Sequence, residues 1–279
     1  MRIVVTGGSG KAGRWVVRDL RDRGHHVLNV DVVHDGSDFG LCVLADLADA
    51  GQARDVVAGA DAVVHLAAIP APGLRGEGET FRNNALSTYN VFAAAVAEKV
   101  RRVVWASSET VLGLPFDADP PPYAPIDEDA PPRPESSYAL SKLVGETMAR
   151  QLARRSGIGF VGLRISNIME PGDYARFPSW QADARVRAWN MWGYVDARDV
   201  ALAARLALEA DVPGAEVCIV AAADTAMERP SAALMAEVFP GVPLRSQPSG
   251  RETLLSIRRA RELIGYVPAH SWTTEPAAG

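Results

Sequence analysis

Thr6-Gly7-Gly8-Ser9-Gly10-Lys11-Ala12-Gly13 lies between a β-branched run, Ile3-Val4-Val5, and a helical pattern over residues 11–23 with Trp15, Val16 and Leu20 at helix spacing. Strand, glycine turn, helix is the context in which glycines do phosphate chemistry. One glycine makes the tight turn, one lets the backbone approach a pyrophosphate, and one allows the helix to pack close to the strand. The unpaired N–H groups at the helix start then meet the anion. The spacing at Gly7, Gly10 and Gly13 is G-x-x-G-x-x-G rather than the commoner G-x-G-x-x-G. Asp31 ends the second strand, 18 residues beyond Gly13. A carboxylate there accepts hydrogen bonds from both ribose hydroxyls and repels a 2′-phosphate, which favours NAD over NADP. Arg14 and His34 are the nearby basic residues that would argue the other way.

Outward from the turn, apolar strands alternate with helices. Strands are expected at 26–31, 41–46, 61–66, 101–108, 159–166 and 215–222. Helices are expected at 49–58, 81–99, 137–155, 195–210, 231–238 and 256–264. Continuous apolar strands separated by helices specify βαβ units, hence an α/β fold with a doubly wound parallel sheet of Rossmann type. Residues 1–165 read as the cofactor domain, with the strand near 215–222 returning to the sheet. Residues 166–279 read mostly as a small substrate lobe. Between Leu114 and Glu135 lie eight prolines and five acidic residues, which reads as a surface loop or linker. Residues 167–192 read as irregular.

Composition narrows the function class. The chain has 279 residues, 48% hydrophobic and 23% charged, with 29 basic and 34 acidic side chains and a net charge of -5. A mildly acidic chain offers no general attraction for nucleic acid or an anionic membrane. No stretch approaches the roughly 20 apolar residues of a membrane span, and the N-terminus lacks the apolar core of a secretory signal. A cytoplasmic protein is therefore expected. Cys42 and Cys218 stand far apart, and the five histidines lack ligand spacing, so neither a disulfide framework nor a metal site is expected.

Tyr138-Ala139-Leu140-Ser141-Lys142 puts a phenol and an ammonium on one helical face. A phenol of ordinary pKa about 10 is a poor base at neutral pH, and a neighbouring positive charge favours its ionised form. Ser108, at the end of the fifth strand, is placed to hydrogen-bond a reacting oxygen. With the glycine turn, these residues resemble the extended short-chain dehydrogenase/reductase family, which includes nucleotide-sugar epimerases and dehydratases. The resemblance runs over about residues 2–267.

It implies that Gly7, Gly10, Lys11, Ala12 and Gly13 form the cofactor loop. Asp46 and Leu47 would touch adenine, and Leu66, Ala67 and Ala68 would line NAD after the fourth strand. Ser108, Tyr138 and Lys142 would be the catalytic trio, with Tyr138 as acid/base and Lys142 lowering its pKa and binding the nicotinamide ribose. Asn83 or Asn84 would fix nearby backbone, and His65 would line the cofactor. RISNIMEP (164–171) resembles the family's R-x-x-N-x-x-x-P, which makes Ser166 and Asn167 contacts for substrate hydroxyls.

Departures from the family pattern narrow the choice. Dehydratases carry Asp-Glu where this chain has Glu109-Thr110, so dehydration is disfavoured. Leu112 stands where a Tyr is usual. The segment between Asn167 and Tyr194 is short for a nucleotide cradle. EPGDYARFPSW (170–180) resembles uronate dehydrogenases, in which the residue matching Arg176 meets the substrate carboxylate; an arginine fork suits that role. Trp180, Trp189 and Trp192 offer either a sugar-stacking face or core packing, the latter for at least two of them. An NAD-dependent oxidoreductase acting on a small sugar-like or sugar-acid substrate is expected. A nucleotide-sugar 4-epimerase and a non-catalytic dinucleotide sensor stand as alternatives. The resemblance also implies a homodimer, formed through the helices that follow strands four and five.

Overall fold

The computed structural model describes residues 1–34 and 42–275. Nine strands are described: β1 (Arg2–Thr6), β2 (His26–Asp31), β3 (Cys42–Leu44), β4 (Ala62–His65), β5 (Arg102–Ser108), β6 (Gly159–Ile165), β7 (Ile168–Met169), β8 (Val195–Asp196) and β9 (Ala215–Val220). The α-helices are α1 (Gly13–Asp22), α2 (Ala50–Val57), α3 (Glu77–Ala97), α4 (Ser137–Ser156), α5 (Ala197–Glu209), α6 (Ser231–Val238) and α7 (Arg258–Ile264). Seven strands form one parallel sheet in the order β3-β2-β1-β4-β5-β6-β9. The returning strand is β9, beside β6, as the sequence suggested.

Both faces of the sheet are covered. Ile3, Val5, Ala62, Val64 and Leu163 join one buried cluster with Val16, Val17, Ala201 and Ala204 of α1 and α5. Their neighbours Val4, Val63, Val103 and Phe160 join a second cluster with Ala53, Val91, Phe92 and Ala149 of α2, α3 and α4. Period-2 alternation buried on both faces is what a parallel sheet requires. Because all seven strands run the same way, Thr6, Asp31, His65, Ser108 and Ile165 finish at one edge. The strand order reverses between β1 and β4, where doubly wound sheets open a ligand crevice.

Several boundaries differ from the sequence reading. Helix α3 starts at Glu77 rather than 81, with Glu77 and Glu79 in its first turn, where carboxylates complement the helix dipole. Strand β3 is only Cys42–Leu44, and Leu41 lies outside the described residues. Val195–Asp196 is a strand that pairs with β7, and Asp196 then caps α5 by accepting from Arg198 N at 2.8 Å. The irregular stretch contains two 3-10 helices, Pro171–Trp180 and Ala184–Asn190. Trp180 and Trp192 are buried, so packing claims them.

The proline-rich segment is not a bare surface loop. Leu114, Tyr123, Ala124, Ile126 and Ala130 are buried in the first cluster. Its backbone is laced to the C-terminal part of the chain: Ala124 N donates to Pro243 O (3.0 Å), Ile126 N to Leu254 O (2.9 Å), and Ser256 N to Ile126 O (2.8 Å). Prolines supply no N–H, so the few donors that remain carry the pairing.

Candidate active site

The glycine turn is closed by Gly7 N donating to Val30 O (2.8 Å) and Gly10 N to Gly7 O (3.1 Å). Gly7 has φ +70°, and a Cβ there would sit 2.6 Å from Ala67 N; a Cβ on Gly13 would sit 2.0 Å from Gly7 O. Only glycine allows the turn to rest against the residues that leave β4 and α1 to follow so closely. Helix α1 has no side-chain cap and no acidic residue in its first turn; Arg14 N donates to Gly10 O at 3.1 Å, and no carboxylate of the first turn repels an anion at the helix start. Lys11 pairs with Asp173 and Arg14 with Glu170, which also accepts from Trp15 Nε1 at 2.9 Å. The turn is thereby clasped to the 3-10 helix at 171–180.

Asp31 accepts from Ser9 N (3.0 Å) and Val32 N (2.7 Å), one bond to each oxygen. It thus ties the glycine turn to the end of β2. Asp46 is exposed and accepts from Ala48 N (2.9 Å), while Asn90 holds Leu47 O at 3.0 Å. Leu66, Ala67 and Ala68 are half-buried just past β4, beside Gly7. Of the two asparagines, Asn84 does the fixing: its amide brackets Ile69, accepting from its N–H (2.8 Å) and donating to its carbonyl (3.0 Å). His65 is buried between Thr6 Oγ1 (2.7 Å) and Thr88 Oγ1 (3.2 Å). Burial, then the Lys142 charge, pull its pKa down to about 3, so it is a neutral core histidine.

Ser108 and Tyr138 meet at the carboxyl edge. Ser108 caps the 3-10 turn Glu109–Leu112, and its Oγ accepts from Thr110 Oγ1 at 2.9 Å. Burial pushes the Tyr138 phenol up to about 12; a hydrogen bond with Ser108 pulls it down and the Glu109 charge pushes it up. Lys142 lies with Nζ 5.5 Å from the Tyr138 ring centroid and donates to Ala106 O at 2.8 Å. Burial lowers the Lys142 ammonium to about 8. The expected depression of the phenol by Lys142 is therefore not expressed in this arrangement, where desolvation outweighs it.

Ser166 and Asn167 follow β6 beside Ser108, which pairs with Ile165. Ser166 is buried, and Asn167 accepts from Arg187 Nη2 at 3.1 Å. Arg176 is exposed, with its guanidinium carbon 5.8 Å from the Trp180 ring. Sequence reasoning missed two neighbours, Arg187 and Asn190. The Arg187 guanidinium carbon lies 4.7 Å from the Trp180 ring and 4.9 Å from that of Trp189, and the group also donates to Gly193 O at 3.0 Å. Asn190 donates to Glu109 Oε1 at 3.4 Å. An arginine flanked by tryptophans was the available signal. Among the described residues, no group of three or more His, Cys, Asp or Glu side chains converges to hold a metal.

The sequence profile of the NAD dependent epimerase/dehydratase family matches residues 3–221. The L-arabinose 1-dehydrogenase (NAD(P)(+)) of Haloferax volcanii is 32% identical over 227 residues, covering 78% of this chain and 86% of that protein. The uronate dehydrogenase of Pseudomonas syringae pv. tomato is 31% identical over 186 residues, 64% of each chain. A short-chain dehydrogenase/reductase superfamily protein from Agrobacterium tumefaciens, solved with bound NAD, superposes with a TM-score of 0.75 at 25% identity, covering 98% of this chain and 94% of its own. A UDP-galactose 4-epimerase gives 0.72 at 27% identity, over 99% of this chain and 96% of its own.

Proposed function

The chain belongs to the NAD dependent epimerase/dehydratase family, and on that premise we propose that it is a dehydrogenase oxidising a hydroxyl-bearing carbon of a small sugar or sugar acid. The observation that carries the reading is the meeting of Ser108, Tyr138 and Lys142 at the sheet edge next to a cradle only glycine can form. That cradle, the uncapped start of α1 and the Asp31 carboxylate fit a dinucleotide. When bound, oxidised NAD supplies the hydride acceptor and a positive ring charge that favours ionisation of the phenol. Ser108 Oγ orients the substrate oxygen, and Tyr138 Oη receives its proton. Lys142 presents its ammonium to the nicotinamide ribose and keeps a positive charge near the phenol. Asp31 takes the adenosine ribose hydroxyls and disfavours a 2′-phosphate.

Residues 1–165 hold the cofactor in this reading, and the chain from Ser166 onward closes over the substrate, with Ser166, Asn167 and Arg176 toward it. A cytoplasmic setting suits two free cysteines. No described helix is long and apolar enough to cross a membrane. The outer face of α3 and α4 is an apolar groove of about 470 Å³ lined by Tyr89, Leu140, Leu143, Val144 and Met148, and we place a homodimer contact there.

A nucleotide-sugar 4-epimerase is the second reading. The full-length likeness to a UDP-galactose 4-epimerase favours it and removes chain length as an argument between the two. The experiment that separates them follows absorbance at 340 nm with NAD or NADP, offering free aldoses, hexuronates and UDP-sugars. Net NADH from a free sugar, with NAD preferred over NADP, is expected. UDP-sugar isomerised with no net NADH would replace the dehydrogenase reading with the epimerase.

A further inference from the structure

Around Glu109 the polar groups do not balance. Glu109, Ser166, Arg187 and Asn190 are each more than nine-tenths buried. Arg187 Nε and Asn190 Oδ1 have no hydrogen-bond partner, and Glu109 Oε2 and Ser166 Oγ make no bond of normal geometry although the serine hydroxyl faces the carboxyl and favours its ionised form; these are four of the ten such side-chain atoms among the described residues. Buried polar atoms are normally satisfied, and each orphan carries a desolvation cost. Four together, contributed by the turn after β5, the end of β6 and the 3-10 helix at 184–190, mark a place built for something else. The place adjoins the chemistry: Glu109 follows Ser108, Ser166 follows the residue paired with Ser108, and the Glu109 charge is felt at Tyr138.

The donor and acceptor inventory says what fits. Asn190 Oδ1 accepts only, as does Glu109 Oε2 when its carboxyl is ionised; Arg187 Nε donates only; the Ser166 hydroxyl does either. A sugar hydroxyl donates and accepts at once and can complete such a set. A substrate carboxylate can only accept, so it leaves Asn190 Oδ1 orphaned and, wherever Glu109 is ionised, brings a like charge beside it in a low-dielectric site. Arg187 offers a carboxylate its Nε but not Nη2, which Asn167 Oδ1 and Gly193 O already engage while two tryptophan rings lie against the guanidinium.

We propose that Glu109, with Asn190, is the specificity-determining element of the substrate site, selecting a neutral polyhydroxy aldose over a sugar acid by accepting hydrogen bonds from its hydroxyls. This rests on the dehydrogenase reading above and sharpens it, turning the choice away from the carboxylate role matched to Arg176.

The test compares D-galactose, L-arabinose and D-galacturonate, since galactose and galacturonate differ only in carrying CH₂OH or COO⁻ at C6. For wild type and Glu109→Gln, kcat/KM is measured at saturating NAD, and binding is measured by calorimetry on the NADH-loaded protein. Circular dichroism and NADH affinity check that the variant folds. Wild type is expected to favour the neutral sugars at least tenfold. Glu109→Gln, which keeps the shape and removes the charge, is expected to shift the ratio at least tenfold toward galacturonate. Wild-type preference for galacturonate, or a ratio unmoved by Glu109→Gln, overturns this assignment while leaving the dehydrogenase reading intact; the orphans then hold internal water only. If none of the three sugars binds or is oxidised while UDP-sugars bind, the dehydrogenase reading fails and this assignment with it.

Discussion

Burial pushes the Glu109 carboxyl up to about 7 from an ordinary 4.5, against the opposing pull of the Ser166 hydroxyl, the Asn190 amide, the Arg187 charge and the Asn167 backbone. Its folded pKa is raised, so the folded state holds a proton that the unfolded chain has released between those values. The contribution to stability is complete below pH 4.5 and is lost as pH rises through 7, by up to about 3 kcal/mol. His65 acts in the opposite sense, since its folded pKa is depressed to about 3 and stability rises with pH up to 6.5. Glu109→Gln removes the first of these two contributions. Its melting temperature, relative to wild type, is expected to climb between pH 4.5 and pH 8, as read by differential scanning calorimetry. A pH-independent difference would contradict a buried, ionising carboxyl at this position. Residues of this kind were hard to read from sequence. Gly7, Gly13, Tyr138 and Lys142 stand in local patterns whose spacing states their job. Glu109 was visible only as a departure from the dehydratase pattern, because its environment is assembled from residues about 57 to 81 positions further along the chain.

Elements were legible where a face repeats and obscure where tertiary contacts replace periodicity. The continuous apolar runs of β1, β4 and β5 announced a sheet covered on both sides, and that is what forms. The start of α3 was missed because Glu77-Gly78-Glu79 carries no apolar signal, and the proline-rich segment because its partners lie beyond residue 240. The outer face of α3 and α4 poses the inverse case: Tyr89 is 50% exposed and Leu140 42%, so an apolar stripe is left without intramolecular cover. Stable dimers of standard size bury about 1,600 Å² in total, which two long helices from each copy can supply. Light scattering coupled to size exclusion is expected to give twice the chain mass for wild type and a single chain mass for the Tyr89→Glu, Leu140→Glu double variant. A wild-type monomer at micromolar concentration would remove the proposed interface.

For the molecule as a whole, the parallel sheet collects distant residues at one edge, and the account depends on what that edge does. The glycine turn, Asp31 and the β4 exit lie together there and form the proposed dinucleotide cradle, with Ser108 at the end of β5 and Tyr138 and Lys142 on α4 as the proposed catalytic trio. The clasp of Lys11 and Arg14 onto Asp173 and Glu170 ties the cradle to the segment that flanks the substrate side. The fold was readable from the chain because each link is local; the proposed selectivity cluster was not, because Glu109, Arg187 and Asn190 meet only in three dimensions. In the proposed reaction Tyr138 takes the substrate proton during oxidation by NAD. The most direct measurement is the rate of NADH formation at 340 nm with saturating NAD, for wild type and for Tyr138→Phe, using the best free-sugar substrate. Wild type is expected to form one NADH per sugar oxidised, and Tyr138→Phe to be about 10²–10⁴-fold slower with NAD affinity retained. A Tyr138→Phe enzyme as fast as wild type would contradict it.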